Sequence, residues 1–455
     1  MTKANKVIFF LLCGSLVFFT LAYGTVHQPT ISLFYLVVTT MTILWAANCL
    51  YLGDIKLSRH PLQIPLYAAF LYALIQLIPF GTVAETAGVA GIPRTISMSP
   101  FDTEMTAYHV LALGLFFSVS LSTVDSAARI RKLVGVILVF GFIFAFFSIL
   151  QSFLSPGKIY GIYERVGAFP FGSFVSRNNF AAFMEMLIAL PLGLLLSGAI
   201  ERDKRLIYIT AIGLMGVALV LSGSRGGLVA MLAGVVLLIM ITTRASGGKK
   251  LVLRIAMSVV MLGVIVGGSY YIGGDSSLTR IAETTTSKDV TTDRTHIWGI
   301  TLKIIGANFP LGAGIGAFAQ AYTPFDDRSG LERVEQAHND YLQVLADAGI
   351  VGAAIAGFFL FVLFRTIKRN IARENKFRRG VAIGATAGIF AILVHSIFDF
   401  VLHTTSITLL FILLLVLLVA SGRKYDDDVP NDDDRGQSRR RSKGSVMPFS
   451  RRSNA

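Results

Sequence analysis

"LVGVILVFGFIFAFFSILQSFL", residues 133–154, is a run of 22 residues without a charge, entered through Arg129, Arg131 and Lys132. As a helix it would be about 33 Å long, enough to cross a hydrocarbon core of roughly 30 Å. A segment this long and this apolar has no face to offer water, so it reads as a membrane span and not as the helix of a soluble core.

The pattern repeats outward from it. Apolar runs at about 7–24, 31–52, 62–80, 106–124, 178–200, 206–221, 226–243, 251–272, 350–367, 380–399 and 404–421 bring the expected number of spans to twelve. The chain is 54% hydrophobic with a mean hydropathy of +0.66, above the roughly 45–50% of a soluble domain. The fold class is therefore an all-α polytopic membrane protein. Three regions are expected: an N-terminal membrane region of about five spans over 1–177, a membrane domain over 178–421 that includes the loop 273–349, and a tail, 422–455. The tail carries acidic then basic blocks with almost no apolar residues, the composition of a disordered segment.

A net charge of +14 raises the question of nucleic acid. The basic residues answer it by where they fall. With the N-terminus inside, thirty of the 41 lysines and arginines lie in inner loops and the tail, and eleven in outer segments. That is the bias a bilayer imposes on orientation, so no nucleic-acid partner is expected and both termini are expected in the cytoplasm. Lys3 and Lys6 precede a run that lacks a small-x-small cleavage site, which makes an uncleaved anchor of Val7–Gly24. Cys13 and Cys49 both lie in apolar runs, so neither a disulfide nor a cysteine metal site is indicated.

This topology turns the longest loop outward, and with it "RVEQAHNDYLQVLADAGIVG", residues 333–352. His338 stands between Glu335 and Asp340, at the start of a short helix that Asn339 or Asp340 would cap and that Gly349 would end or hinge. An outward imidazole suits general-base work on a hydroxyl, and equally suits capping without chemistry. The arginines that break the inside rule add to the case. Arg225 sits with Ser222 and Ser224 in "LSGSRGG", a tight turn between two spans where an anion clamp and a snorkelling arginine both fit. Arg294 opens an apolar helix in "TTDRTHIWGITLKII", capped by Asp293, expected along the outer interface with Trp298 at headgroup depth. Arg177 heads the sixth span beside Asn178 and Asn179, as an anion ligand or a cap. In "HSIFDFVLH", His395, Asp399 and His403 share a face if the helix continues that far, in a spacing that suits a support for the cavity, a metal site or the polar end of a span. "GAGIGAF" lacks the lysine and the preceding strand of a phosphate loop and has no nucleotide role.

Taken together, "SGSRGG", "RTHIW", "PLGAGIGAF" and "AHNDYLQVLADAGIVG", in that order over roughly 170–370, resemble the O-antigen ligase family, which includes Wzy-type polymerases and bacterial O-oligosaccharyltransferases. The resemblance implies a GT-C-like fold and a metal-independent, inverting glycosyl transfer at the periplasmic face of the bacterial inner membrane, without a cofactor. It implies a glycan on undecaprenyl pyrophosphate as donor, and lipid A core or a growing polysaccharide as acceptor, with the ligase favoured narrowly over the polymerase. His338 matches the family's loop histidine, the base on the acceptor. Arg225 and Arg294 match arginines that hold the donor pyrophosphate, with Arg177 a weaker match. Glu335, Asp340, Ser224, His395 and Asp399 are placed in support. A different class of function, a transporter of lipid-linked glycan driven through His395 and Asp399, would need charged groups deep in several spans, of which Glu185 is the main example.

Overall fold

The computed structural model describes residues 2–83, 88–164, 169–243, 252, 294–328 and 333–423. Thirteen α-helices are described: α1 (Lys3–Leu21), α2 (Gln28–Leu52), α3 (Ile64–Gln76), α4 (Pro100–Thr123), α5 (Ala127–Leu154), α6 (Arg177–Leu196), α7 (Arg205–Leu221), α8 (Arg225–Thr243), α9 (Arg294–Ala307), α10 (Phe318–Tyr322), α11 (Asp340–Asn370), α12 (Lys376–His395) and α13 (Thr405–Ser421). Among the described residues nine helices are long and apolar enough to cross a membrane, and Pro61–Gln76 and Thr405–Ser421 are shorter apolar helices. The protein is an all-α polytopic membrane protein. Eleven of the twelve expected spans thus have a helix. Apart from residue 252, the remaining one, 251–272, lies outside the described residues, as do most of the tail and the expected cap Asp293.

The bundle is organised around three helices. Every residue of α13 is buried, which is where a helix apolar around its whole circumference is stable. Beside it, α6 and α12 cross with almost no space between their backbones. A Cβ placed on Gly193 would lie 2.4 Å from Gly384 Cα, and Gly380 and Gly388 face α6 one turn to either side. Glycine at every fourth position lets two helices approach until dispersion between backbones holds them, the usual solution where lipid removes the hydrophobic driving force. The outer helices, by contrast, keep large apolar side chains exposed, such as Phe10, Leu50, Leu154 and Phe364.

Two expected boundaries move. The span at 350–367 is entered by ten further residues, because α11 begins at Asp340 and bends at Gly349, whose φ of 54° interrupts the helical dihedrals. The span at 380–399 ends early, at His395. The chain then turns through 396–400 and a 3-10 turn, Val401–His403, before α13.

A second, smaller core sits at the end of the bundle. Ile300 and Ile304 of α9 bury against Phe318, Ala321, Tyr322, Ala337 and Ala346. The glycines of "GAGIGAF" clasp this layer to the bundle: a Cβ at Gly312 would meet the Asp347 backbone at 2.5 Å, and one at Gly316 would meet Thr106 Oγ1 at 2.3 Å. Close backbone approach, not phosphate binding, accounts for that motif.

Candidate functional site

Four helices begin at one place. Arg177 opens α6, Arg225 opens α8, Arg294 opens α9 and Asp340 opens α11. Each N-terminus carries the positive end of a helix dipole, and three of the four first residues are arginines. Ser176 caps α6 by accepting from the Asn178 backbone N–H. Asn339 caps α11 by accepting from the N–H groups of Tyr341 and Leu342, at 2.9 and 3.0 Å.

Asp399, from the turn after α12, is the hub of this convergence. Its Oδ1 lies 3.0 Å from His338 Nδ1 and also accepts from the Phe400 N–H. Its Oδ2 accepts from Arg294 Nη2 at 3.1 Å and from Asn178 Nδ2 at 2.6 Å. Asn178 in turn accepts, through its Oδ1, from Ser224 Oγ at 2.9 Å, and Ser224 Oγ accepts from the Gly227 N–H. One hydrogen-bonded chain therefore runs from the Ser-Arg-Gly turn through Asn178 and Asp399 to both Arg294 and His338. Burial would push the Asp399 carboxyl up, but the His338 hydrogen bond and the Arg294 guanidinium outweigh it and hold the group at about 2.

The His338 segment is laced to the turn after α12. The Asp340 N–H donates to Ser396 O, Asn339 Nδ2 to Ile397 O, and Asp340 Oδ1 lies 3.1 Å from His403 Nδ1. Trp298 of α9 donates its indole N–H to His338 O. His338 itself has a φ of 51°, a left-handed conformation that a residue with a Cβ holds only when its surroundings impose it. Its ring stands edge-on to Phe400, at 4.7 Å between centroids. The side chain remains 34% exposed, and with Nδ1 turned to Asp399 the Nε2 edge faces away from the hub. That is the arrangement of an imidazole oriented through one nitrogen by a carboxylate while its other nitrogen faces outward.

Arg177 stacks on Phe169, 4.8 Å from the ring centroid, and its Nη1 lies 3.9 Å from where a Gly223 Cβ would be, so it overhangs the turn that carries Arg225. The site residues expected from sequence are thus brought together in the case of His338, Arg294, Ser224, Asp399 and the Arg177–Arg225 turn.

Others part from the expectation. Glu335 is exposed, and it is Asp399 that holds the His338 imidazole. Asp340 serves His403 instead. There, burial opposes the charged imidazole, but the Asp340 hydrogen bond and charge outweigh it and raise His403 above its ordinary value. The shared face of His395, Asp399 and His403 does not form, because the helix stops at His395. His395 turns into the bundle to meet Glu185 at 3.1 Å, with both side chains at 1% exposure or less. Trp298 donates its N–H to the His338 carbonyl, and α9 buries Ile300 and Ile304 in protein. Among the described residues no group of three or more potential ligands is arranged to hold a metal.

A convergence of helix N-termini, arginines and a carboxylate-held histidine at one end of the bundle defines a class: a polytopic membrane protein with a polar, arginine-bearing cluster at one end. The family follows from the sequence that builds it. Residues 210–357 match the family described as O-antigen ligase. The match contains Ser224, Arg225, Arg294 and His338, while Arg177, Asn178 and Asp399 lie outside it. The chain matches none of the curated proteins.

Proposed function

We propose that the protein transfers a glycan from undecaprenyl pyrophosphate to an acceptor hydroxyl at the periplasmic face of the bacterial inner membrane, with both termini in the cytoplasm. The observation that carries this reading is the His338–Asp399–Arg294 contact. One buried carboxylate orients an exposed imidazole and an arginine at the same point. In the proposed reaction His338 Nε2 takes the proton of the acceptor hydroxyl as its oxygen attacks the anomeric carbon. Asp399 offsets the charge that forms on the imidazolium, as a carboxylate behind a catalytic histidine does. The bond from the anomeric carbon to the pyrophosphate breaks on the opposite side, which inverts the configuration. Arg294, Arg225 and Arg177, with the N-termini of α6, α8 and α9, take up the charge of the leaving pyrophosphate. The hydrophobic bundle accommodates the polyprenyl chain.

The acceptor favoured is lipid A core, which makes the protein a ligase; a polysaccharide acceptor would make it a Wzy-type polymerase. Purified protein given lipid-linked repeat units and lipid A core distinguishes them, since a ligase yields core-linked glycan and a polymerase yields ladders without core. The buried Glu185–His395 pair favours a second reading, a proton-linked transporter of the same lipid. Movement of labelled lipid across vesicles without any glycosylated product supports that reading and contradicts the first.

A further inference from the structure

A cavity lies remote from this site. A groove of about 1050 Å³ runs between α1 and α5, lined by Phe9, Cys13, Val17, Phe140, Phe144 and other apolar side chains. Its two ends differ. At one end, where both helices begin, Lys6 and Lys132 stand at the mouth. At the other, Tyr160 closes it, its hydroxyl donating to Leu21 O. That closed end is the side of the bundle that carries the site, since Thr20 O accepts from Ser173 Oγ just ahead of α6. The lysines therefore lie at the opposite face.

Three features separate this groove from an ordinary lipid-facing surface. Its length, Lys6 to Leu21 along α1, is about 22 Å, more than the ~15 Å half-thickness of a hydrocarbon core. It separates two helices that are joined at the lysine end by Arg129, which donates to Asn5 Oδ1 and Asn5 O and lies over the Phe9 ring. Arg129 is satisfied there, and pairs with Asp125. Lys6 and Lys132, in contrast, are exposed and have no acidic partner among the described residues. Two uncompensated cations over a long apolar slot between spans match an anionic headgroup with its acyl chain, in charge and in shape.

We propose that this groove binds an anionic phospholipid, its phosphate between Lys6 and Lys132 and one acyl chain along α1 and α5. The lipid fills a gap that protein side chains leave open and ties α1 to α5 below the Arg129 clamp.

Gly135 supplies the test, because it lines the groove and a Cβ there would meet nothing within 4 Å. Full-length protein in mild detergent is equilibrated with phosphatidylglycerol, phosphatidylcholine or undecaprenyl phosphate at equal mole fraction, and retained lipid is read by native mass spectrometry. Wild type should retain phosphatidylglycerol about tenfold over phosphatidylcholine. Lys6→Gln with Lys132→Gln, both exposed positions that leave folding intact, should abolish that preference. Gly135→Phe should lower retention of both phospholipids. Equal retention by wild type, an unchanged preference in the double variant, or undiminished retention by Gly135→Phe overturns the proposal. Retention of undecaprenyl phosphate above phosphatidylglycerol overturns it in favour of a polyprenyl occupant.

Discussion

His338 and Arg294 do not touch the same ligand through separate supports; both are held by Asp399, the one through Oδ1 at 3.0 Å and the other through Oδ2 at 3.1 Å. A single buried carboxylate thus sets the distance between the group proposed to move a proton and a group proposed to hold the leaving phosphate. The oriented geometry is fixed before any substrate arrives, which is where proximity and electrostatic preorganisation gain their rate.

Asp399→Asn should therefore cost turnover more than donor binding. The expected loss in kcat is about 10²- to 10⁴-fold, the range of a displaced general base. Combined with His338→Ala it should cost little more than either change alone, because the two act as a unit. Steady-state kinetics on the three variants check this, and additive losses contradict it.

Asn178 was the least conspicuous member of the site. Its amide links Ser224 to Asp399, so Asn178→Ala leaves a buried hydroxyl and a carboxylate oxygen short of a partner. A destabilisation of about 1–3 kcal/mol should follow, with a loss of transfer. Thermal unfolding in detergent and the transfer rate measure the two effects. Asn178→Asp should be worse than Ala, since it sets a second carboxylate against Asp399.

The two acid–imidazole contacts of the His338 segment should respond to pH in opposite ways. Asp399 is depressed to about 2, so its contribution is complete above an unfolded value of about 4 and is lost only as pH falls towards 2. His403 is raised, so its pairing with Asp340 is complete below an unfolded value of about 6.5 and is lost as pH rises through the higher folded value. The Tm gap between wild type and Asp399→Asn should be flat from about pH 5 to 8, while the gap to His403→Gln should narrow as pH rises above about 6.5.

The α6–α12 crossing predicts a strong effect from a single methyl group. A Cβ on Gly384 would lie 2.7 Å from Leu190 O, and neither backbone can yield without separating the helices. Gly384→Ala should lower stability by more than about 2 kcal/mol, whereas Gly213→Ala, in open space, should be near neutral. Melting curves of the two variants provide the comparison.

Hydropathy made most of this fold legible, because a span is a local property: length and apolarity within one run decide it. The site was legible in part for the same reason. His338, Arg225, Arg294 and Ser224 stand in short polar interruptions of a greasy chain, and an interruption is visible without knowing its neighbours. What could not be read was partnership. Whether Glu335, Asp340 or Asp399 holds His338 depends on where α12 stops, and the apolar run through "HSIFDFVL" continues past that point without a glycine or proline to mark it. The same early stop sends His395 into the core and frees Asp399 to reach across to two other segments. Trp298 was equally opaque, since a tryptophan at a membrane edge and one bonding a loop carbonyl have the same local sequence.

The account rests most heavily on His338 as the group that acts on the acceptor. Transfer of a labelled glycan from undecaprenyl pyrophosphate to acceptor by purified, folded His338→Ala measures it directly, alongside wild type and with donor binding followed separately. The account predicts donor binding within about threefold of wild type and transfer reduced at least ~100-fold. Transfer within about threefold of wild type by the same preparation would contradict it.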